Sequence, residues 1–514
     1  MGFSSHQPAT QRATANGDLL TRRDELQGDL HQLVGRHPLI ENNLACIEAA
    51  LGNIEGAAAT FDQIEPTSDV ERDTIAHNLS ELQRFRRIES NGASANDRSP
   101  RRRVAVVSLL FNWPSTGGGT VHTKELCDFL FRAGYDVRHF YAVNNQWDVG
   151  NVRRVLPYPS VPLRFGERDW NEESIKERFR EAVGEYRPDS VIVTSSWNTK
   201  PLLAEAVAEF PYFIRIAALE SICPLNNVRL LLDEQRQPVQ CDGNQLSDAK
   251  RCRACVSVNH QLSGGLHQAE RKLAGFDHDD YSKRLTGAFA KAEGVLVVNP
   301  KIAELITPYT RNVHVVPSGF DISRFPASLT EPPSGRPRKR MLFAGLTQEL
   351  MKGFFVLAEA GITLWKQRQD FEIVVTGDPI EGLDEPFRFV GWQSQEHLPA
   401  LIGDCDFLVF PTVAQEALGR TAVEAMGCGR PVVASDIGGL SWVVEDGVTG
   451  LLCRPGDAGD LSEKLGTMLD SREQRIQFGI NGRKKFEVQF TWDQILKRHY
   501  VKVLGTPELE PLTV

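Results

Sequence analysis

Two glutamates with seven residues between them, Glu416 and Glu424, frame the segment of this 514-residue chain best equipped for chemistry. The segment runs Gln415-Glu416-Ala417-Leu418-Gly419-Arg420-Thr421-Ala422-Val423-Glu424 and follows an apolar strand ending at Phe410-Pro411-Thr412. A loop carries Glu416, and a short helix opens near Gly419. Glycine there lets a ligand approach the backbone closely, and amides at a helix start favour phosphate oxygens. Glu424 lies about a turn into the helix, so the two carboxylates reach one bound molecule from different heights. Gly427 and Gly429 end the helix and Pro431 opens the next strand. Either glutamate alone reads as a solvated surface charge. The whole arrangement reads as a site for a phosphorylated ligand.

Two further groupings stand out. Pro114-Ser115-Thr116-Gly117-Gly118-Gly119-Thr120-Val121-His122 is a glycine-rich turn between a strand and a helix, a place where backbone admits a phosphate or sugar. It is not the dinucleotide fingerprint, because His122 takes the third glycine's place. Cys223, Cys241, Cys252 and Cys255 form a cluster ending in Cys-x-x-Cys, within an otherwise polar insertion, residues 223–260. Four such thiols suit a tetrahedral metal site that would staple a segment without its own core. Structural zinc is the leading reading, unligated thiols follow, and an iron–sulfur cluster comes third. Cys46, Cys127, Cys405, Cys428 and Cys453 sit in apolar stretches and read as small buried hydrophobes.

The elements that must position these groups follow a simple grammar. Residues 1–17 read as a disordered tail. Residues 18–89 are helical, with Leu51-Gly52, Ala57, Phe61 and Pro66 similar to one tetratricopeptide unit; a small helical bundle is an equal reading. Residues 90–103 are a polar linker with the basic end Arg101-Arg102-Arg103. From Val104 apolar runs alternate with helical patterns, the signature of parallel sheets covered by helices. The alternation restarts beyond about residue 320, and four prolines mark the stretch Pro326–Lys339. This divides 104–320 from 321–490, with 491–514 as a last helix and tail. The fold class is therefore α/β: two doubly wound domains facing a cleft, after a small all-α domain, with ligands at the carboxyl ends of strands.

Composition closes off other classes. Apolar residues make up 41% and charged residues 24%, which excludes wholesale disorder. The net charge of −9 argues against general nucleic-acid binding. Apolar runs are only strand length, so no transmembrane segment is expected. Nine cysteines and a polar start point to a reducing cytoplasm. Arg101–Arg103 is the feature that would bring the chain to an acidic inner membrane face, although a solvated linker end is the plainer account.

The segment from Glu416 to Glu424, followed by Ala425-Met426 and Gly429-Arg430-Pro431-Val432-Val433-Ala434, resembles the retaining nucleotide-sugar glycosyltransferases of family 4, which have the GT-B fold. Gly377-Asp378-Pro379, Phe389-Val390-Gly391-Trp392, Gly438-Gly439, Glu445-Asp446-Gly447, Gly450-Leu451-Leu452 and Phe490-Thr491-Trp492 match as well. The resemblance covers about residues 104–503. It implies two Rossmann-like domains, a nucleoside-diphosphate sugar donor and a hydroxyl acceptor, whether a sugar, a lipid-linked molecule or a protein. Glu416 would hold the transferred sugar, Glu424 the ribose, and the amides of Leu418 and Gly419 the diphosphate, whose charge grows as the glycosidic bond breaks. Gly345 and Lys352 would line the phosphates, with Lys352 and Glu416 catalytic. Arg420 stands ready to supplement them, because Leu346 takes the place of an expected arginine and a lone ammonium lacks its bidentate fork. Gly118 and Gly119 would line the donor site, and His122 and Glu220 the sugar or acceptor, Ala217 standing where the family has a histidine. Some members share the Cys-Pro and Cys-x-x-Cys pattern. Transfer would need no cofactor. The implied activity is hexosyl transfer in polysaccharide or glycoconjugate biosynthesis, with residues 18–89 docking a protein partner or a second copy. The rivals are a non-catalytic sugar-nucleotide-binding scaffold and a GT-B sugar-nucleotide epimerase.

Overall fold

Runs of Val, Ile, Leu and Phe without polar alternation make strands that are buried on both faces, and such runs recur through the chain. The computed structural model describes residues 38–51, 54–66, 68–92, 101–115, 117–194, 196–327 and 336–508. The expected tail 1–17, the helical leucines from Leu19 to Leu33 and the middle of the linker lie outside the described residues.

Among the described residues three helices come first, Pro38–Leu51, Ile54–Gln63 and Asp69–Gly92. One helical hairpin cannot bury its own apolar stripe. Here Ala45, Ile54, Ala57, Phe61, Ile75 and Leu82 enclose Val155, which belongs to a loop far along the chain. Buried asparagines fix this contact. Asn78 donates to Asn42 Oδ1 at 2.8 Å and accepts from the Val155 amide at 3.1 Å, while Asn42 Nδ2 lies 3.4 Å from the Arg153 carbonyl.

The next strands are β1 (Arg103–Ser108), β2 (Asp136–Val143), β3 (Ser160–Arg164), β4 (Ser190–Thr194) and β5 (Tyr212–Ile216). A short antiparallel hairpin, β6 (Leu230–Leu232) and β7 (Pro238–Gln240), interrupts them, and β8 (Gly294–Val297) and β9 (Val313–Val315) follow. They form a seven-stranded sheet in the order β3-β2-β1-β4-β5-β8-β9. A second sheet, all parallel, collects β10 (Lys339–Phe343), β11 (Phe371–Val375), β12 (Phe387–Phe389), β13 (Phe407–Phe410), β14 (Val432–Ser435) and β15 (Gly450–Cys453) in the order β12-β11-β10-β13-β14-β15. Both orders reverse direction in mid-sheet, as doubly wound sheets do. The second sheet's core joins Met341, Ile373, Val409 and Val433 to Leu357, Leu461 and Phe478 of the covering helices.

The chain divides into two compact units. One holds residues 1–215, 265–295 and 500–514, and the other residues 216–264 and 296–499. In the first, residues 500–508 return to the start of β1: the Tyr135 hydroxyl donates to the Gly505 carbonyl at 2.5 Å, and the Arg102 amide to the Pro507 carbonyl at 2.7 Å. Among the described residues no helix is long and apolar enough to cross a membrane.

Candidate active site

Adjacent parallel strands place their carboxyl-end loops side by side. β10 pairs with β13 in the second unit, so the loop carrying Lys352 meets the loop carrying Glu416. Main-chain bonds lock the two. The Met351 carbonyl accepts from the Thr412 hydroxyl at 2.7 Å and from the Val413 amide at 3.0 Å. The result is an ion pair, Lys352 Nζ to Glu416 Oε1 at 2.8 Å, with the two side chains 27% and 14% exposed. Burial alone would push the lysine downward, but the charge and hydrogen bond of Glu416 outweigh it and hold Lys352 above its ordinary value. The lysine is therefore a cation throughout the neutral range. Gly345, one strand-end upstream, donates its amide to Thr376 Oγ1 at 3.2 Å and lies against the Lys352 stem.

The helix Arg420–Gly427 starts directly after Gly419, which has φ +73°. The backbone angle calls for glycine, and a Cβ there would also approach Leu440 Cδ2 to 2.5 Å and make that side chain shift. Leu418 is buried before it and Glu424 is buried within the helix. The Leu418 and Gly419 amides thus stand at the positive end of a helix, suited to an anion. Arg420 has its guanidinium 4.3 Å from the Phe320 ring centre, a stacking position. Behind the loop, the Gly439 amide donates to the Glu416 carbonyl at 2.7 Å. A Cβ on Gly439 would lie 2.0 Å from the Ala417 carbonyl oxygen, which explains the Gly438-Gly439 pair.

Glu416 also lines a cavity of about 280 Å³ with Gln240, Asn299, Lys301, Gln415 and Asp436. The sequence reading did not single out these five. Asn299-Pro300 is a helix-start signal, and Asn299 does cap the helix Pro300–Ile306 by accepting from the Ile302 amide at 2.9 Å. Its side-chain amide then donates to the Ala417 carbonyl, a contact that no local pattern encodes.

The other candidate residues lie on other elements. Glu220 is buried, and its two carboxylate oxygens accept from the amides of Ala217 at 2.9 Å and Ala218 at 2.6 Å. It clamps the turn after β5, which is a structural task. Gly118, Gly119 and His122 belong to the first unit. The helix Gly118–Arg132 opens on the two glycines, and His122 is buried in its second turn. Leu346 is 39% exposed where the resemblance expects an arginine.

Cys223, Cys241, Cys252 and Cys255 all line one mostly apolar cavity of about 150 Å³. The insertion that the sequence left without a core of its own contains the β6–β7 hairpin and the helix Ala249–Asn259, capped by Asp248. Burial, then the neighbouring thiols, push Cys252 up to about 12, and burial raises Cys223 and Cys255 as well. Four sulfurs are the donor set that zinc takes. Yet among the described residues no three His, Cys, Asp or Glu side chains are grouped so as to hold a metal ion. As the side chains stand, the four thiols line the cavity without gathering at one point.

Comparison with known proteins finds similar sequences around this segment. Residues 338–471, which include Lys352, Glu416 and Glu424, match the family described as "Glycosyl transferases group 1". A protein of Methanocaldococcus jannaschii described as an uncharacterized glycosyltransferase is 37% identical over 21% of this chain and 30% of its own length. A D-inositol 3-phosphate glycosyltransferase of Salinispora tropica is 31% identical over 44% of this chain and 54% of its own. The chain thus spans a third to a half of the length of these relatives. Among solved structures, an Anabaena protein, HepE, in complex with UDP and glucose superposes with a TM-score of 0.52 at 16% identity, over 78% of this chain and 99% of that one. The fold is that of the GT-B glycosyltransferases, and residues 338–471 are similar to the glycosyl transferases of group 1.

Proposed function

We propose that the chain is a retaining glycosyltransferase of family 4 type, moving a sugar from a nucleoside-diphosphate sugar to a hydroxyl acceptor. The observation that carries the reading is the Lys352–Glu416 pair at 2.8 Å, set beside the amides of a helix start within the matched segment. An arriving diphosphate would take Lys352 and the Leu418 and Gly419 amides as fixed donors, and these stabilise the charge that grows on it as the anomeric C–O bond breaks. Glu416 would grip the sugar hydroxyls, and Glu424 the ribose. The acceptor oxygen would then attack from the face the diphosphate leaves, passing its proton to a diphosphate oxygen. Such a step calls on no second carboxylate and no metal. Its setting would be polysaccharide or glycoconjugate synthesis. The Anabaena complex, by its own description, contains UDP and glucose, which makes uridine diphosphate sugars the first donors to try.

A thermal-shift panel of nucleoside diphosphates and their sugars tests binding, because a ligand of the native state raises the melting temperature by mass action. Glu416→Ala should abolish transfer and leave the melting temperature within a few degrees. Near-normal turnover in that variant would remove Glu416 from the site. Exposed Leu346 in an arginine's place favours a second reading, a sugar-nucleotide-binding scaffold without turnover. Binding without transfer or donor hydrolysis would select it.

A further inference from the structure

We infer that Gln415 is a positioning residue for Glu416, and that the cysteine-walled stretch from Leu219 to Val256 is the support it is fastened to. The inference rests on the role of Glu416 proposed above and adds what sets that carboxylate in place.

Gln415 directs its amide and both side-chain ends to this stretch. Its main-chain amide donates to the Val228 carbonyl at 3.3 Å. Its Oε1 accepts from Arg229 Nη1 at 3.3 Å, and its Nε2 donates to the Cys241 carbonyl at 3.2 Å. Gln240 reaches the same loop two residues earlier, where its side-chain amide donates to the Val413 carbonyl. Val228, Arg229, Gln240 and Cys241 form a unit of their own, since the Cys241 amide donates to the Arg229 carbonyl at 2.8 Å and β6 pairs with β7 between them. On its other side the loop is held by Gly439 on the Glu416 carbonyl and by Asn299 on the Ala417 carbonyl. The carboxylate is thus set from two sides, and Gln415 is the link to one of them. Cys241 both receives Gln415 and walls the thiol cavity, so the Gln415 side chain is a direct route by which a disturbance among the thiols reaches Glu416. A displacement of about 1 Å at a reacting group costs on the order of a hundredfold in rate.

The test uses the full chain with Gln415→Met, which keeps the volume and removes the polar ends. With the donor the panel identifies, kcat should fall about 10- to 100-fold while the donor KM and the nucleoside diphosphate Kd stay within about threefold. Arg229→Met should cost part of this, and adding it to Gln415→Met should cost nothing more, because both remove one link. Hydrogen exchange supplies a readout independent of turnover. Amides of residues 413–418 should exchange at least about tenfold faster in Gln415→Met, with β14 and β15 unchanged. Unaltered exchange at 413–418 overturns the inference whatever the activity does. Faster exchange with kcat within twofold of wild type overturns the positioning role. Retained turnover in Glu416→Ala would instead count against the proposed catalytic site and leave the exchange result standing.

Discussion

At the scale of single residues, the proposed diphosphate site has an exposed leucine where the resemblance implies an arginine. Leu346 occupies an exposed position on the loop that carries Lys352, and a guanidinium there could grip a diphosphate with two parallel bonds. Leu346→Arg is expected to tighten nucleoside diphosphate binding about 3- to 10-fold, read by titration calorimetry. His139 gives the clearest pH effect. It is buried in β2 beside Ser108 Oγ at 2.9 Å, and burial lowers it from an ordinary 6.5 to about 3. Between those values the unfolded chain binds a proton that the native state refuses, so stability falls as pH drops through that window, by up to about 1.4 kcal/mol per pH unit. Denaturant titrations at pH 7 and pH 5 should show this loss in the wild type and a smaller one in His139→Gln. The same residue shows why β2 escaped the sequence reading. Arg138 and His139 break its apolar run, yet both are buried, the arginine 4.4 Å from the Tyr186 ring centre and the histidine on Ser108. Partners elsewhere in the chain rescue polar residues that local pattern would put in a loop.

At the scale of elements, the strand-and-helix alternation and the segment from Glu416 to Glu424 were legible because their causes are local. An apolar run makes a central strand, and a glycine marks where a helix must begin with φ positive. The Gly438-Gly439 turn was legible as a motif, but its reason was not. Gly439 yields to the Ala417 carbonyl, and that approach exists only once β13 and β14 lie side by side. Gly439→Ala should therefore push the Glu416 loop off its seat, costing on the order of 1–3 kcal/mol of stability and at least about tenfold in turnover, as measured by urea unfolding and donor consumption. The cysteine-rich insertion was the hardest to read. Spacing alone suggested a closed metal site, whereas the hairpin and the helix give the thiols a scaffold on which they line a cavity without gathering at one point. Sequence spacing reports which sulfurs are near along the chain, and rotamers decide whether they converge.

At the scale of the whole molecule, the helical segment is an attached part of the first unit through Asn42, Asn78 and the loop from Arg153 to Val155. Asn78→Ala would strand the buried Val155 amide, a loss of about 1–3 kcal/mol. Urea unfolding should show it as a lower midpoint, and hydrogen exchange should localise it to the helices and the 153–155 loop, with the second unit unchanged. The return of residues 500–508 to the start of β1 has a different consequence, one of timing. A ribosome finishes β1 about four hundred residues before it makes the stretch that bonds to its first residues. β2 and β4 can flank β1 long before that, and until the late stretch arrives the backbone groups at the mouth of the strand are left to water.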